Sequence, residues 1–232
     1  MKRNLLITSL ALLSTTLLAA EPKDDVTSAA KKLADQQNYS WKQTTENAGG
    51  RGFGAGASEG KLDNGTIWLS MTMRDNTIEA VKQGDKGAIK TQDGWVSMAD
   101  AADGDRGPAM FMARRLQNFS GPATQVEYIV AGTKDLKQDG DVYSGDLTED
   151  GAKAQLRFGG RGGNNGPEIS DAKGSAKFWV KDGVLAKYSV TVKGNVSFNG
   201  NDRAVDRTTT VEISNVGSTK VAVPDDAKAK MK

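Results

Sequence analysis

The chain has 232 residues with 31 Lys and Arg against 29 Asp and Glu, and it contains neither cysteine nor histidine. Those absences exclude disulfide stapling and every thiol or imidazole chemistry, so Ser-His and Cys-His catalysis and His-zinc sites all fall away. Lys2 and Arg3 carry the whole positive excess, so the rest of the chain is formally neutral and has no net attraction for nucleic acid or an anionic membrane.

The N-terminus reads as an export signal over 1–20. Lys2 and Arg3 form a basic start, Leu5 to Leu18 is apolar but too short to span a bilayer comfortably, and Leu18-Ala19-Ala20 offers small residues for cleavage before Glu21. A lipid anchor at that point would need a cysteine, so the expected product is a lipid-free periplasmic or secreted protein over 21–232 with no transmembrane segment. That length suffices for one sizeable domain. From Asp24 to Gln36, Val26, Ala29, Ala30 and Leu33 fall on one helical stripe, with Asp24 or Asp25 placed to accept the first free amides. Tyr39, Trp41, Gln43 and Thr45 then alternate with Ser40, Lys42, Thr44 and Glu46 as a strand. The glycine-rich run Gly49 to Gly56 lacks both the G-x-G-x-x-G spacing and a Gly-Lys-Ser/Thr ending, so it reads as a hairpin tip and not as a phosphate loop.

Asn64-Gly65 turns the chain into Thr66 to Arg74, where Ile67, Leu69, Met71 and Met73 share one face. Further strands are expected at Thr77 to Lys82, Gly87 to Thr91 and, after Asp93-Gly94, Trp95 to Met98. Pro108 opens a helix whose apolar stripe is Ala109, Met112, Leu116 and Phe119, and a second helix follows from Pro122 to Ile129; both are suited to cover a sheet's dry face. Strands resume at Gly132 to Gln138 and Val142 to Leu147, followed by a helix from Thr148 to Leu156 capped by Thr148. A second glycine-rich run occupies Gly159 to Gly166.

The meander from Ala172 to Pro224 is the strongest signal. Val184, Ala186, Tyr188, Val190 and Val192 alternate with Lys187, Ser189, Thr191 and Lys193, leaving Leu185 as the one exception. Asp182-Gly183 and Asn199-Gly200 supply tight turns on either side, and Val205, Val211 and Ile213 resume the alternation against Asp206, Thr208, Thr210 and Glu212. A last strand is expected from Val216 to Val223, ending at Pro224. Turns too short for crossovers make the whole sheet antiparallel.

The element order, with the ending Phe178-Trp179-Val180-Lys181-Asp182-Gly183, Leu185 to Lys193, Thr208 to Ser214 and Val221-Ala222-Val223-Pro224-Asp225-Asp226-Ala227, resembles the LolA/LolB and LppX-like periplasmic carriers. The chain is also similar to uncharacterised exported bacterial proteins. The resemblance implies an α+β fold in which a long antiparallel sheet curves into an open half-barrel, with a few helices on its concave face. It also implies a lipid or other hydrophobic ligand held between sheet and helices. Leu69, Met71, Met73, Met112, Leu116, Phe119, Tyr188 and Val190 are the candidate lining, and methionine suits such an adaptable surface. The same residues would serve an ordinary packed core.

Two other classes compete. A protein-binding or sensor module of the cell envelope would use the groove or an edge strand. A hydrolase would have to work with carboxylates, but Asp93, Asp103, Asp139, Asp150 and Asp182 all precede glycine, where turn geometry explains them. Calcium through Asp139 and Asp141, or Asp146 and Asp150, would lack a complete EF-hand loop. The expectation is therefore a non-enzymatic protein with no cofactor or metal.

Overall fold

The computed structural model describes residues 21–48, 56–73, 76–105, 107–157, 166–198 and 200–231. The export signal at 1–20 and almost all of both glycine-rich runs lie outside the described residues. Among those described, no helix is long and apolar enough to cross a membrane.

A single sheet of eleven strands organises the molecule, every neighbouring pair antiparallel. The strands are β1 Asn38–Asn47, β2 Gly56–Asp63, β3 Thr66–Met73, β4 Asn76–Gln83, β5 Lys86–Thr91, β6 Gly94–Ser97, β7 Lys137–Asp139, β8 Val142–Asp146, β9 Glu168–Lys181, β10 Val184–Phe198 and β11 Asn201–Ser214. Their spatial order is β6-β5-β4-β3-β2-β1-β11-β10-β9-β8-β7, an open half-barrel whose edges are the two short strands β6 and β7. The chain thus walks from β1 to one edge, crosses to the far edge, and walks back until β11 pairs with β1. The crossing is helical: α2 Met98–Asp103, α3 Pro108–Gln117 and α4 Pro122–Ala131. Helix α1, Pro22–Ala34, packs on α4 and β10, and α5, Glu149–Leu156, packs on β9 and β10.

Each inner element is apolar where it meets the others. Helix α1 buries Val26, Ala29, Ala30 and Leu33, and α3 buries Met110, Met112, Ala113 and Leu116. The strands answer with Trp41, Leu69, Ala80, Ile89, Phe178, Tyr188, Val190, Val192 and Val211, all members of one continuous core. Trp41 lies flat over Gly60 on the neighbouring strand, where any Cβ would collide with the indole, and meets Phe119 at 5.8 Å between ring centroids. Thr148 caps α5 by accepting from the Gly151 amide at 3.0 Å. Helix α1, by contrast, has no side-chain cap: Pro22 starts it after Glu21, and neither Asp24 nor Asp25 accepts as expected.

Four other expectations need correction. The exception at Leu185 is a β-bulge: Leu185 pairs with Val180 but Lys187 with Trp179, so the parity flips and both Leu185 and Tyr188 are buried. Gly132 to Leu136 is not a strand, because Thr133 closes α4 by donating through Oγ1 to the Val130 carbonyl at 2.7 Å; only Lys137–Asp139 pairs regularly with β8. The pair Asp150-Gly151 is not a turn but the first turn of α5, where the backbone of Gly132 presses too close to allow a side chain.

The fourth correction concerns the end of the chain, where no strand forms from Val216 to Val223. Asn215 and Gly217 take positive φ of 52° and 81°, and the following stretch is tied across the strand ends. There the Ser40 and Thr219 hydroxyls lie 2.8 Å apart, and the Val221 amide donates to Asp63 at 3.0 Å. That amide, with Lys220, holds the Asp63 carboxyl below its ordinary pKa. The chain then forms α6, Asp225–Lys230, on the convex face. There Ala227 joins Val81 and Ala88 in a second small core flanked by Trp68, Trp95, Val223 and Met231. The sheet is therefore two-faced and wet over β9 to β11 and β1, but covered on both sides at β4 and β5.

This arrangement separates three substitutions. Val190→Asp buries an unpaired carboxylate in the inner core and should cost several kcal/mol, roughly 3 or more. Thr191→Asp, on the convex face, should cost about 1 kcal/mol at most, since it loses only a hydroxyl contact to Thr208. Val81→Asp, of the same convex parity but under α6, should be as severe as Val190→Asp. Urea unfolding of the three variants checks this order, and equal tolerance of all three would refute the assignment of faces.

Candidate functional site: a recess on the concave face

The inner face is not sealed everywhere. Between β10 and β11 below and α4 and α5 above lies a recess of about 180 Å³ lined by Gln125, Tyr128, Ile129, Gln155, Tyr188, Val190, Val192, Arg207 and Thr209. Strand alternation aims Tyr188, Val190 and Val192 from β10 and Arg207 and Thr209 from β11 at the same side, and the two strands pair Val190 with Thr209 and Val192 with Arg207. Helix α4 contributes Gln125, Tyr128 and Ile129 at helical spacing, and α5 contributes Gln155.

The polar groups are held in place. The Tyr188 hydroxyl donates to Gln125 Oε1 at 2.7 Å, while Gln125 Nε2 donates to the Ser120 carbonyl at 2.9 Å, so the amide is fixed at both ends. Arg207 donates through Nη2 to the Gln155 carbonyl at 2.5 Å, tying β11 to α5. Burial pulls the Arg207 guanidinium below its ordinary pKa. The Tyr188 phenol is pushed up chiefly by burial, then by the nearby Tyr39, with Arg115 acting in the opposite sense. The whole Tyr188–Gln125 pair is therefore neutral at any physiological pH, and the recess carries one cation, Arg207, among its lining residues.

Of the eight candidate lining residues, Leu69, Met112, Leu116, Tyr188 and Val190 are buried in the main core, and Met71 and Phe119 are partly buried against it. The backbone of Met73 belongs to β3, while its side chain lies outside the described ones. Only Tyr188 and Val190 wall the recess itself; Met112 and Leu116 have no exposed surface at all. Arg115 reaches back from α3 to Met71, with Nη1 3.8 Å from Sδ. Sequence reasoning missed Gln125, Tyr128, Ile129, Gln155, Val192, Arg207 and Thr209 as lining. For Arg207 and Thr209 a signal existed: both stand at the same parity as Val205, Val211 and Ile213, where a cation and a hydroxyl interrupt an apolar face.

No family model matches the chain, and no curated protein sequence matches it. Solved structures do. LprF from Mycobacterium bovis matches over 89% of this chain and 97% of its own, at 13% identity and a TM-score of 0.48. The lipoprotein LppX from Mycobacterium tuberculosis matches over 88% of this chain and 98% of its own, at 12% identity and a TM-score of 0.48. A DUF1329 family protein from Desulfovibrio piger matches over 90% and 98% respectively, at 10% identity and a TM-score of 0.31.

Burial beside the recess has a pH signature. Tyr39 is pushed from 10.0 up to about 12 by burial. Below pH 10 both folded and unfolded chains keep this phenol neutral and its contribution is fully present. Between about pH 10 and 12 the unfolded chain ionises first, so stability falls, by roughly 3 kcal/mol from this group alone. Tyr39→Phe should remove that share of the alkaline loss, measured as a shallower fall in unfolding free energy above pH 10.

Proposed function

We propose that this protein is an exported, non-enzymatic binding protein of the periplasm or extracellular space that takes a lipid or other hydrophobic ligand against the concave face of its half-barrel. The observation that carries this reading is the recess: a floor of Val190 and Val192, a wall of Ile129, and a roof made of two short helices. Apolar concavities with a few fixed polar groups are what small-ligand sites look like. That roof is formed by two separate helices, α4 and α5. Lifting α3 and α4 would open Met112, Leu116, Phe119, Leu69 and Met71 to a longer chain. Methionine packs against irregular shapes at little cost, which suits a cavity that fills and empties. Catalysis has no role in this reading.

One observation favours a second reading, a protein-binding module of the cell envelope. Phe111 on α3 and Tyr128 on α4 are 59% and 71% exposed, large apolar surfaces on the helical layer. Mass spectrometry of solvent extracts from protein purified out of its native envelope separates the two. The carrier reading expects a hydrophobic small molecule at close to one per chain. An empty protein that arrives with a stoichiometric partner polypeptide would replace it with the second reading.

A further inference from the structure

Helix α3 sorts its residues by face. Met110, Met112, Ala113 and Leu116 are buried, while Phe111, Arg114, Arg115 and its C-cap Asn118 recur at three- and four-residue spacing on the opposite, exposed stripe. Phe111 is 59% exposed. One exposed ring is ordinary on a protein surface, but this ring shares its stripe with two guanidiniums that no carboxylate neutralises. Among the described residues, no ion pair includes Arg114 or Arg115. Arg115 donates through Nη1 to the Met71 thioether, an uncharged acceptor that leaves the positive charge uncompensated. Helix α3 itself has no acidic residue, and on the adjoining α2 Asp100 accepts from the Ser97 hydroxyl at 2.7 Å and not from either arginine. The chain beyond residue 20 has no net charge, so any pull on an anionic surface has to be local. Helix α3 supplies it.

Size decides the kind of partner. Ten residues make a helix about 15 Å long and 10 Å wide, so one stripe offers on the order of 150 Å². A stable protein interface takes roughly 800 Å² from each partner, far more than this stripe provides. A bilayer surface asks for less: an aromatic ring to enter the headgroup boundary, and cations to meet the lipid phosphates.

We propose that the outer stripe of α3 docks the protein on an anionic lipid surface, with Phe111 entering the headgroup region and Arg114 and Arg115 on lipid phosphates. Docking does not require the recess to be filled, so this inference goes beyond the groove reading and stands apart from it.

The test is sedimentation of the whole exported protein with two kinds of vesicle, pure phosphatidylcholine and an equal mixture of phosphatidylcholine and phosphatidylglycerol. The wild type should partition roughly tenfold or more in favour of the mixed vesicles. Raising the salt from about 0.1 to 1 M, which shortens the screening length from about 10 to 3 Å, should remove most of that preference. Arg114→Gln and Arg115→Gln should each lose about fivefold on the mixed vesicles and nothing on the neutral ones. Phe111→Ser should weaken binding to both, with folding of every variant checked by circular dichroism. Should Arg115→Gln not fold for want of its contact with Met71, Arg114→Gln carries the charge test. Equal binding to the two kinds of vesicle would overturn the inference, and so would mixed-vesicle binding that survives all three substitutions unchanged. Absence of any vesicle binding would overturn it too, and would leave standing the groove reading, which is tested by the extracted ligand. A co-purifying polypeptide that is lost in Phe111→Ser would overturn it in favour of the protein-binding module.

Discussion

The pairing of β1 with β11 is the contact on which the rest depends. It runs from Ser40↔Ser214 to Asn47↔Arg207 and joins residues separated by most of the chain. Closing so long a loop costs entropy that grows only slowly with length, but the ladder must still repay it. It does so through burial, with Trp41, Tyr39 and Val211 all in the main core. Without this junction, β1 to β6 and β7 to β11 would be two smaller sheets, each exposing an edge. With it, α2, α3 and α4 have a single continuous concave surface to cross, and among the described residues the sheet's edges are strands of four and three residues.

The two faces of the sheet follow from one alternation. On the convex side a row runs across the strands in register: Lys90 beside Glu79, then Ser70, Glu59, Lys42, Glu212, Lys187 and Trp179. Lys187 and Glu212 lie 2.7 Å apart, and Lys187 also stands over the Trp179 ring at 5.2 Å. Each such surface pair contributes little stability. Together they keep the wide convex face wet and make face-to-face stacking of sheets unfavourable. One row further on, beyond Lys61 over the Trp68 ring, the charges give way to Trp68, Val81 and Ala88, and there α6 closes over the apolar patch. On the concave side the same logic produces the core at one end and the recess at the other, where Arg207 and Thr209 replace aliphatic residues.

Periodicity made most of this legible. Alternation placed Tyr39, Trp41, Tyr188, Val190 and Val192 on the dry side, Asn64-Gly65 and Asp182-Gly183 marked turns that both take positive φ, and helical stripes found α1, α3, α4 and α5. What escaped has physical causes. A bulge swaps parity within a strand, so Leu185 looked like a violation although it is buried. Val216 to Val223 alternates like a strand, but positive φ at Asn215 and Gly217 and the bond from Val221 to Asp63 divert it to the other face. Helix α6 left a trace in Pro224, Asp225-Asp226 and Lys228-Lys230, an acidic first turn and a basic last one, yet six residues are too few for a periodic stripe. The recess was hidden for a different reason. Which face is apolar can be read from spacing, but where two helices fail to cover it depends on how they dock.

Site-resolved amide hydrogen exchange tests the central claim most directly, because it ranks ladders by the free energy needed to open them. If the β1–β11 junction holds the half-barrel together, the amides of β1, β10 and β11 should exchange last and only through global unfolding, later than those of β2 to β5 and far later than those of α4 and α5 over the recess. Exchange of the β1–β11 amides ahead of β3 and β4 would show that the two halves open from each other in the native state, and would contradict the account.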